Sequence, residues 1–287
     1  MGGGAAASWP PADADRTTAL AALERGEVVQ PPAPEFALDA GELALLEPSI
    51  SDGRSKNISF DARTGRLGGM ADDDARRDAV VRMMARFACW SVDVLDQLLP
   101  TYAGALQRTK TSFRPCPVED RPQSPRQDDR RLHVDAFPSQ PTQGRRILRL
   151  FANIDPEGRP REWRLGEPFE DFAARFAPRI RPPLPGSSWA MQRLGLTKGR
   201  RTPYDHAMLA LHDLAKLDED YQRTAPRREA AYAAGATWVV FTDAALHAAM
   251  AGQHCLEQTF LLPVAAMADE AKSPLRVLER VMGKRLV

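Results

Sequence analysis

Cysteine is scarce in this chain: Cys89, Cys116 and Cys255 are three residues with no metal-type spacing. They cannot all pair with one another, so they read as reduced thiols in a reducing compartment, without a disulfide scaffold. Net charge is also lacking. Lys and Arg number 39 against 38 Asp and Glu, leaving +1, and nothing draws the whole molecule towards nucleic acid. No apolar run approaches the ~18 residues that a membrane span needs. The stretch from Met1 to Pro11 has neither a basic n-region nor an apolar h-region, so secretion is not expected. There is no internal repeat. Histidines number only five, which limits the candidates for any imidazole chemistry. Against these absences stand 287 residues at 43% hydrophobic content, enough to bury a sizeable core.

Residues 1–15, rich in Gly, Ala and Pro, read as a flexible tail, and 16–287 as a single domain. Its first part, 16–100, is mainly helical. Helices are expected over Thr17–Glu27, Ala40–Leu46 and Asp72–Leu99, the last with Asp72, Asp73 and Asp74 suited to its N-terminus. From 101 to 270 the pattern turns to strands: Gln107–Val118, Arg130–Phe137, Arg145–Ile154, Thr237–Thr242 and Glu257–Val264, with a helix over Tyr204–Tyr221 inserted. Pro178, Pro182, Pro183 and Pro185 exclude regular structure between them. Ser273–Val287 is a basic amphipathic helix. Helices first and strands after favour an α+β fold, a jelly-roll-like sandwich flanked by helices.

The segment Arg131-Leu-His-Val-Asp-Ala-Phe137 carries the chemistry. On a strand, alternate side chains share a face, so His133 and Asp135 project together. With a second histidine they form a two-histidine, one-carboxylate facial triad, whose open positions suit non-haem Fe(II). His206 and His212, six residues apart on one helix, do not share a face and read as core or surface residues. His247 follows the apolar strand Thr237–Thr242, where a jelly-roll chain turns back, whereas His254 sits past Gly252 as a turn residue. His247 is the preferred third ligand.

The run from His133-Val-Asp135 through Arg146-Ile-Leu-Arg-Leu-Phe-Ala-Asn153 to Phe241-Thr-Asp-Ala-Ala-Leu-His247 resembles the Fe(II)/2-oxoglutarate dioxygenase superfamily. Asn57-Ile-Ser-Phe60, Arg131-Leu-His-Val-Asp-Ala-Phe-Pro138, Tyr204-Asp-His206, Leu211-His-Asp213 and Leu246-His-Ala248 narrow it. Those segments resemble the hydroxylases acting at C3 of 3-deoxy-D-manno-oct-2-ulosonic acid (Kdo), a sugar of the lipopolysaccharide inner core. The resemblance implies a double-stranded β-helix of cupin-like type and iron at His133, Asp135 and His247. It also implies 2-oxoglutarate and O2 as cosubstrates, with succinate and CO2 as products beside the hydroxylated sugar.

One feature departs from the superfamily pattern. The Arg or Lys that often holds the distal carboxylate of 2-oxoglutarate, about one strand past the second histidine, is missing from Ala248–Phe260. A buried carboxylate needs a cation or several donors, so the charge must come from elsewhere. Phe151 and Asn153 match cosubstrate-contacting positions, and Arg149, of the same parity, points into the same pocket. Arg114 is a second candidate, and Arg146, of opposite parity, a third. Asn57, Lys198, Arg200 and Arg201 are candidate substrate contacts. The expected partner is a Kdo-bearing lipid A precursor on the cytoplasmic face of the inner membrane, with weak, salt-sensitive contact to that anionic surface and none to nucleic acid. Oligomeric state is not legible. Other readings are a 2-oxoglutarate oxygenase for a different small molecule or peptide, a metal cupin without oxygenase activity, and a non-catalytic binding protein.

Overall fold

The computed structural model describes residues 9–119 and 123–287. Most of the expected N-terminal tail, residues 1–8, lies outside them. The fold is mixed α+β.

Helix α1 (Asp13–Glu24), the short α2 (Ala40–Leu43) and the long α3 (Asp74–Leu98) come first. α3 starts where the Asp73 carboxylate accepts the Arg76 backbone N–H at 3.0 Å, a side-chain cap worth about 1 kcal/mol. Val80, Met84, Phe87, Val94 and Leu98 recur at helical spacing and are buried. Leu99-Pro100 ends the helix, because proline has no N–H to continue it. Strands β1 (Ile58–Asp61) and β2 (Arg66–Gly68) form a hairpin within the part expected to be helical. The sequence there reads as turn-rich loops because the strands are so short.

The remaining strands are β3 (Gln107–Arg114), β4 (Arg146–Asn153), β5 (Arg161–Leu165), β6 (Arg228–Tyr232), β7 (Thr237–Phe241), β8 (His247–Ala251) and β9 (Cys255–Leu262). Among the described residues they form two antiparallel sheets, β2-β1-β3-β9-β4-β7 and β6-β5-β8. Between β5 and β6 the chain inserts α4 (Phe169–Phe176), α5 (Ser187–Arg193), α6 (Pro203–Leu217) and α7 (Glu219–Thr224). The expected Tyr204–Tyr221 helix is thus two helices, broken at Asp218, whose carboxylate caps α7 through the Tyr221 N–H at 3.0 Å. α8 (Pro274–Met282) buries Leu275, Val277 and Leu278 and packs on α4, as an amphipathic helix of a globular protein does.

Register follows side-chain parity. Arg149 and Phe151 on β4, Glu257 and Thr259 on β9, and Ser112 and Arg114 on β3 share one face of the large sheet, while Arg161, Trp163, His247 and Ala249 share one face of the small sheet. All ten line a single cavity.

Candidate metal centre and cavity

His133, Asp135 and His247 place one potential ligand atom each within 4.8 Å of one another. The expected strand Arg130–Phe137 is not one. It makes a single antiparallel bridge, His133 to His247, with reciprocal N–H···O bonds of 3.1 and 2.9 Å. Two residues on, the Asp135 N–H donates to the Thr242 carbonyl at 2.8 Å instead. The segment it pairs with turns between Thr242 and Leu246, from β7 into β8, so no ladder continues. The alternation survives, and with it the shared direction of His133 and Asp135.

Each histidine is oriented by its own backbone. His133 Nδ1 lies 2.7 Å from the Arg131 carbonyl and His247 Nδ1 lies 2.9 Å from the Ala245 carbonyl. A carbonyl only accepts, so Nδ1 carries the proton and Nε2 presents a lone pair. Burial, then the positive charge of Lys216, holds His133 far below the usual imidazole range, and burial lowers His247 likewise. Both are therefore neutral, the ligating form. Burial pushes the Asp135 carboxyl up, but Arg149, with smaller contributions from the groups around it, brings the net value down to about 2. Arg149 Nη2 is 3.1 Å from Asp135 Oδ2, yet misaligned for a hydrogen bond, and that buried oxygen has no donor. Two neutral imidazoles and a carboxylate with an orphaned oxygen fit a divalent iron. Trp163 stacks on His247 with ring centroids 5.1 Å apart, fixing that ring further.

The triad lies at the wall of a cavity of about 420 Å3 between the two sheets. Its floor is a chain of charges. Arg149 bridges Asp135 and Glu257, Arg114 bridges Glu257 and Asp129, and Lys56 pairs with Asp129. Burial raises Glu257, but Arg149 and Arg114 together hold it below its ordinary value. Glu257 sits on β9, in the very stretch where the sequence lacks a cation, and the neighbouring strands bring the arginines to it.

Among the residues named from sequence, Asn57, Arg114, Arg149 and Phe151 line the cavity with the triad. Arg146 and Asn153 do not. Arg146 is fully buried on the opposite face of β4, as its parity requires, with Nε 2.8 Å and Nη2 3.2 Å from the Asp243 carboxylate and its guanidinium over Phe241. The Asn153 side chain is spent on backbone, donating to the Arg159 and Tyr232 carbonyls and accepting from the Asp155 N–H. Lys198, Arg200 and Arg201 sit outside, near the rim: the Lys198 N–H donates to the Ser139 carbonyl at 2.9 Å and Arg201 to that of Pro138. His254 stands apart from the triad; its backbone carbonyl accepts from Ile154.

Sequence reasoning missed several lining residues. His212, set aside as core or surface, has its ring 5.4 Å from that of His133. Lys216 stands one turn further along α6, at the i,i+4 spacing that puts both on one face. Arg161 is buried on β5, two residues before Trp163, and donates to the Gly252 carbonyl at 2.8 Å; strand parity around Trp163 was the available signal. Lys56 and Asp129 come from loops and left none.

The chain matches the family described as 3-deoxy-D-manno-oct-2-ulosonic acid (Kdo) hydroxylase over residues 7–285. Among solved structures it is similar to the Kdo hydroxylase KdoO, described as a non-haem Fe(II) alphaketoglutarate-dependent dioxygenase. The KdoO complex with cobalt(II) has a TM-score of 0.94 at 44% identity, covering 98% of this chain and 95% of that one. The complex with alphaketoglutarate and Fe(III) has a TM-score of 0.93 at 43% identity, with coverage of 98% and 95%. The complex with succinate and Fe(III) gives 0.92 at 43%, again covering 98% and 95%. Among curated proteins no match is found. This chain belongs to the Kdo hydroxylase family of Fe(II)/2-oxoglutarate-dependent dioxygenases.

Proposed function

We propose that the chain hydroxylates Kdo at C3 while that sugar is attached to a lipid A precursor, with His133, Asp135 and His247 holding Fe(II). The observation that carries this reading is the convergence of that donor set on the wall of a cavity whose other walls are rich in cations. Bound iron supplies the chemistry that couples decarboxylation of 2-oxoglutarate and reduction of O2 to oxygen insertion into a C–H bond. The protein's own work is to bind and orient. Arg149 and Arg114 are the candidates for the distal carboxylate of 2-oxoglutarate, their buried Nε atoms having no partner, and Phe151 and Trp163 give the pocket its apolar side. Asn57, which precedes β1 and lines the same cavity, is a substrate contact in this reading.

The two sheets facing across the cavity support a double-stranded β-helix core over 101–270, joined to the helical part 16–100 as one domain. A site on the cytoplasmic face of the membrane is supported by the surface beside the cavity rim. Leu184, Trp189, Leu194 and Leu196 are 79, 61, 73 and 62% exposed, and the chain carries no acidic residue between Asp171 and Asp205. An apolar wedge flanked by Arg193, Lys198, Arg200 and Arg201 suits an anionic bilayer. No helix is long and apolar enough to cross one.

The test is succinate release from Fe(II), 2-oxoglutarate and O2 with and without Kdo-bearing lipid A. Stimulation by that lipid, and none by lipid A lacking Kdo, is expected. Equal stimulation by both, or by an unrelated peptide, would move the activity to another substrate.

A further inference from the structure

The cations of the cavity are not equivalent. Arg149 and Arg114 are tied to Asp135, Glu257 and Asp129, Lys56 to Asp129, and Arg126 to Asp213. Lys216 differs. Its side chain is buried, and its Nζ donates to one neutral group, the Arg126 carbonyl, at 3.2 Å. Among the described residues no carboxylate lies within ion-pairing distance of it. A buried ammonium without a paired counter-charge is costly, and burial pushes Lys216 down to about 8, partly offset by the Asp129 charge and aided by that of Lys56. The position is nonetheless built: α6 presents Lys216 and His212 from one face into the same cavity as His133, Asp135 and His247.

We infer that Lys216 is the counter-charge for the carboxylate of the substrate sugar acid, and so fixes which C–H bond faces the metal. The inference rests on the Kdo reading and deepens it. In a 3-deoxy-2-ulosonic acid the carboxyl carbon lies two bonds from C3. When C3 is presented to the triad, the carboxylate is buried beside it and needs a cation on that wall. Of the lining cations, Lys216 is buried on the face of α6 that also carries His212 beside His133, and no carboxylate pairs with it among the described residues; Lys110 is exposed, and Arg161 is held on β5 at the Gly252 carbonyl, between β8 and β9. On binding, the buried ammonium gains a counter-charge and the incoming carboxylate meets a cation as it loses its water, which is also a basis for rejecting uncharged sugars.

The experiment compares kcat/KM for Kdo-bearing lipid A and for the same lipid with its sugar carboxylates converted to amides, using wild type, Lys216→Met and Lys216→Arg. The wild type is expected to favour the acid by about a hundredfold, as loss of one partner of a buried charge pair implies. In Lys216→Met that preference falls to within a few-fold, while Lys216→Arg keeps much of it. Because methionine removes an unpaired buried charge, the Lys216→Met protein should melt no lower than wild type. A preference for the acid that persists in Lys216→Met overturns the assignment, as does an equal loss on both lipids together with a lower Tm. Should the wild type leave Kdo-bearing lipid A unmodified, the Kdo reading itself fails and the assignment with it.

Discussion

At the scale of single residues, the centre depends on how the fold sets protonation. Burial lowers both His133 and His247 from the ordinary value of about 6.5. In the unfolded chain these imidazoles take up protons as pH falls through that value, while in the folded protein they resist. The unfolded state then binds more protons, so apo-protein stability should decline as pH drops below about 6.5. Metal binding follows the folded groups. Co(II) affinity, read from its visible absorption, should be flat through pH 6.5 and weaken only below it; a midpoint at or above 6.5 would show ordinary imidazoles. Arg149→Ala should raise the KM for 2-oxoglutarate roughly 10- to 100-fold through loss of a charge-assisted bond. Co(II) titration of the same variant separates that effect from any change at Asp135. Arg146 makes the opposite case. Asp243→Asn should cost about 3–5 kcal/mol by leaving a buried guanidinium without its counter-charge, measured by denaturant unfolding, and leave the KM for 2-oxoglutarate unchanged.

At the scale of elements, what could be read in the sequence was what strand parity encodes. Alternation put His133 with Asp135 and Arg149 with Phe151, and all four face the cavity. The same rule, applied to the stretch around Trp163, would have added Arg161. The rest was hidden for physical reasons. On α6, Leu209, Leu214 and Leu217 do not mark the buried side: the helix buries Tyr204, Ala207, Met208, Leu211 and Ala215, while Leu209 and Leu214 are only half-buried and Leu217 is 45% exposed. The buried stripe mixes alanines with Tyr204, Met208 and Leu211, and its position carries His212 and Lys216 to the cavity. β1 and β2 are too short to show a period, and Asp129 and Lys56 meet only through tertiary packing. α5 and its flanks are the reverse, with leucines and a tryptophan left largely exposed. If they dock on an anionic bilayer, co-sedimentation with vesicles containing acidic lipid should be salt-sensitive. It should weaken in Lys198→Ala/Arg200→Ala/Arg201→Ala and further on adding Trp189→Ser. No sedimentation at low salt would leave that surface for another role.

At the scale of the whole molecule, two antiparallel sheets hold a cavity between them, and α6 of the inserted helices lines one side of it. The large sheet supplies Arg114, Arg149, Phe151 and Glu257, the small sheet Arg161, Trp163 and His247, and α6 adds His212 and Lys216. The metal ligands come from a loop and a strand start, joined by the single bridge between His133 and His247. Excluding water from such a site protects a reactive centre and strengthens each charge pair inside it. In the proposed function this cavity directs oxygen from O2 into Kdo at the triad. The most direct measurement is mass spectrometry of Kdo-bearing lipid A after incubation with enzyme, Fe(II) and 2-oxoglutarate under isotopically heavy O2. One heavy oxygen atom should appear on the Kdo unit and one in the succinate formed with it, and both should vanish in His133→Ala and in His247→Ala. Kdo that gains no heavy oxygen, or gains it equally in either histidine variant, would show that oxygen does not reach the sugar through this triad.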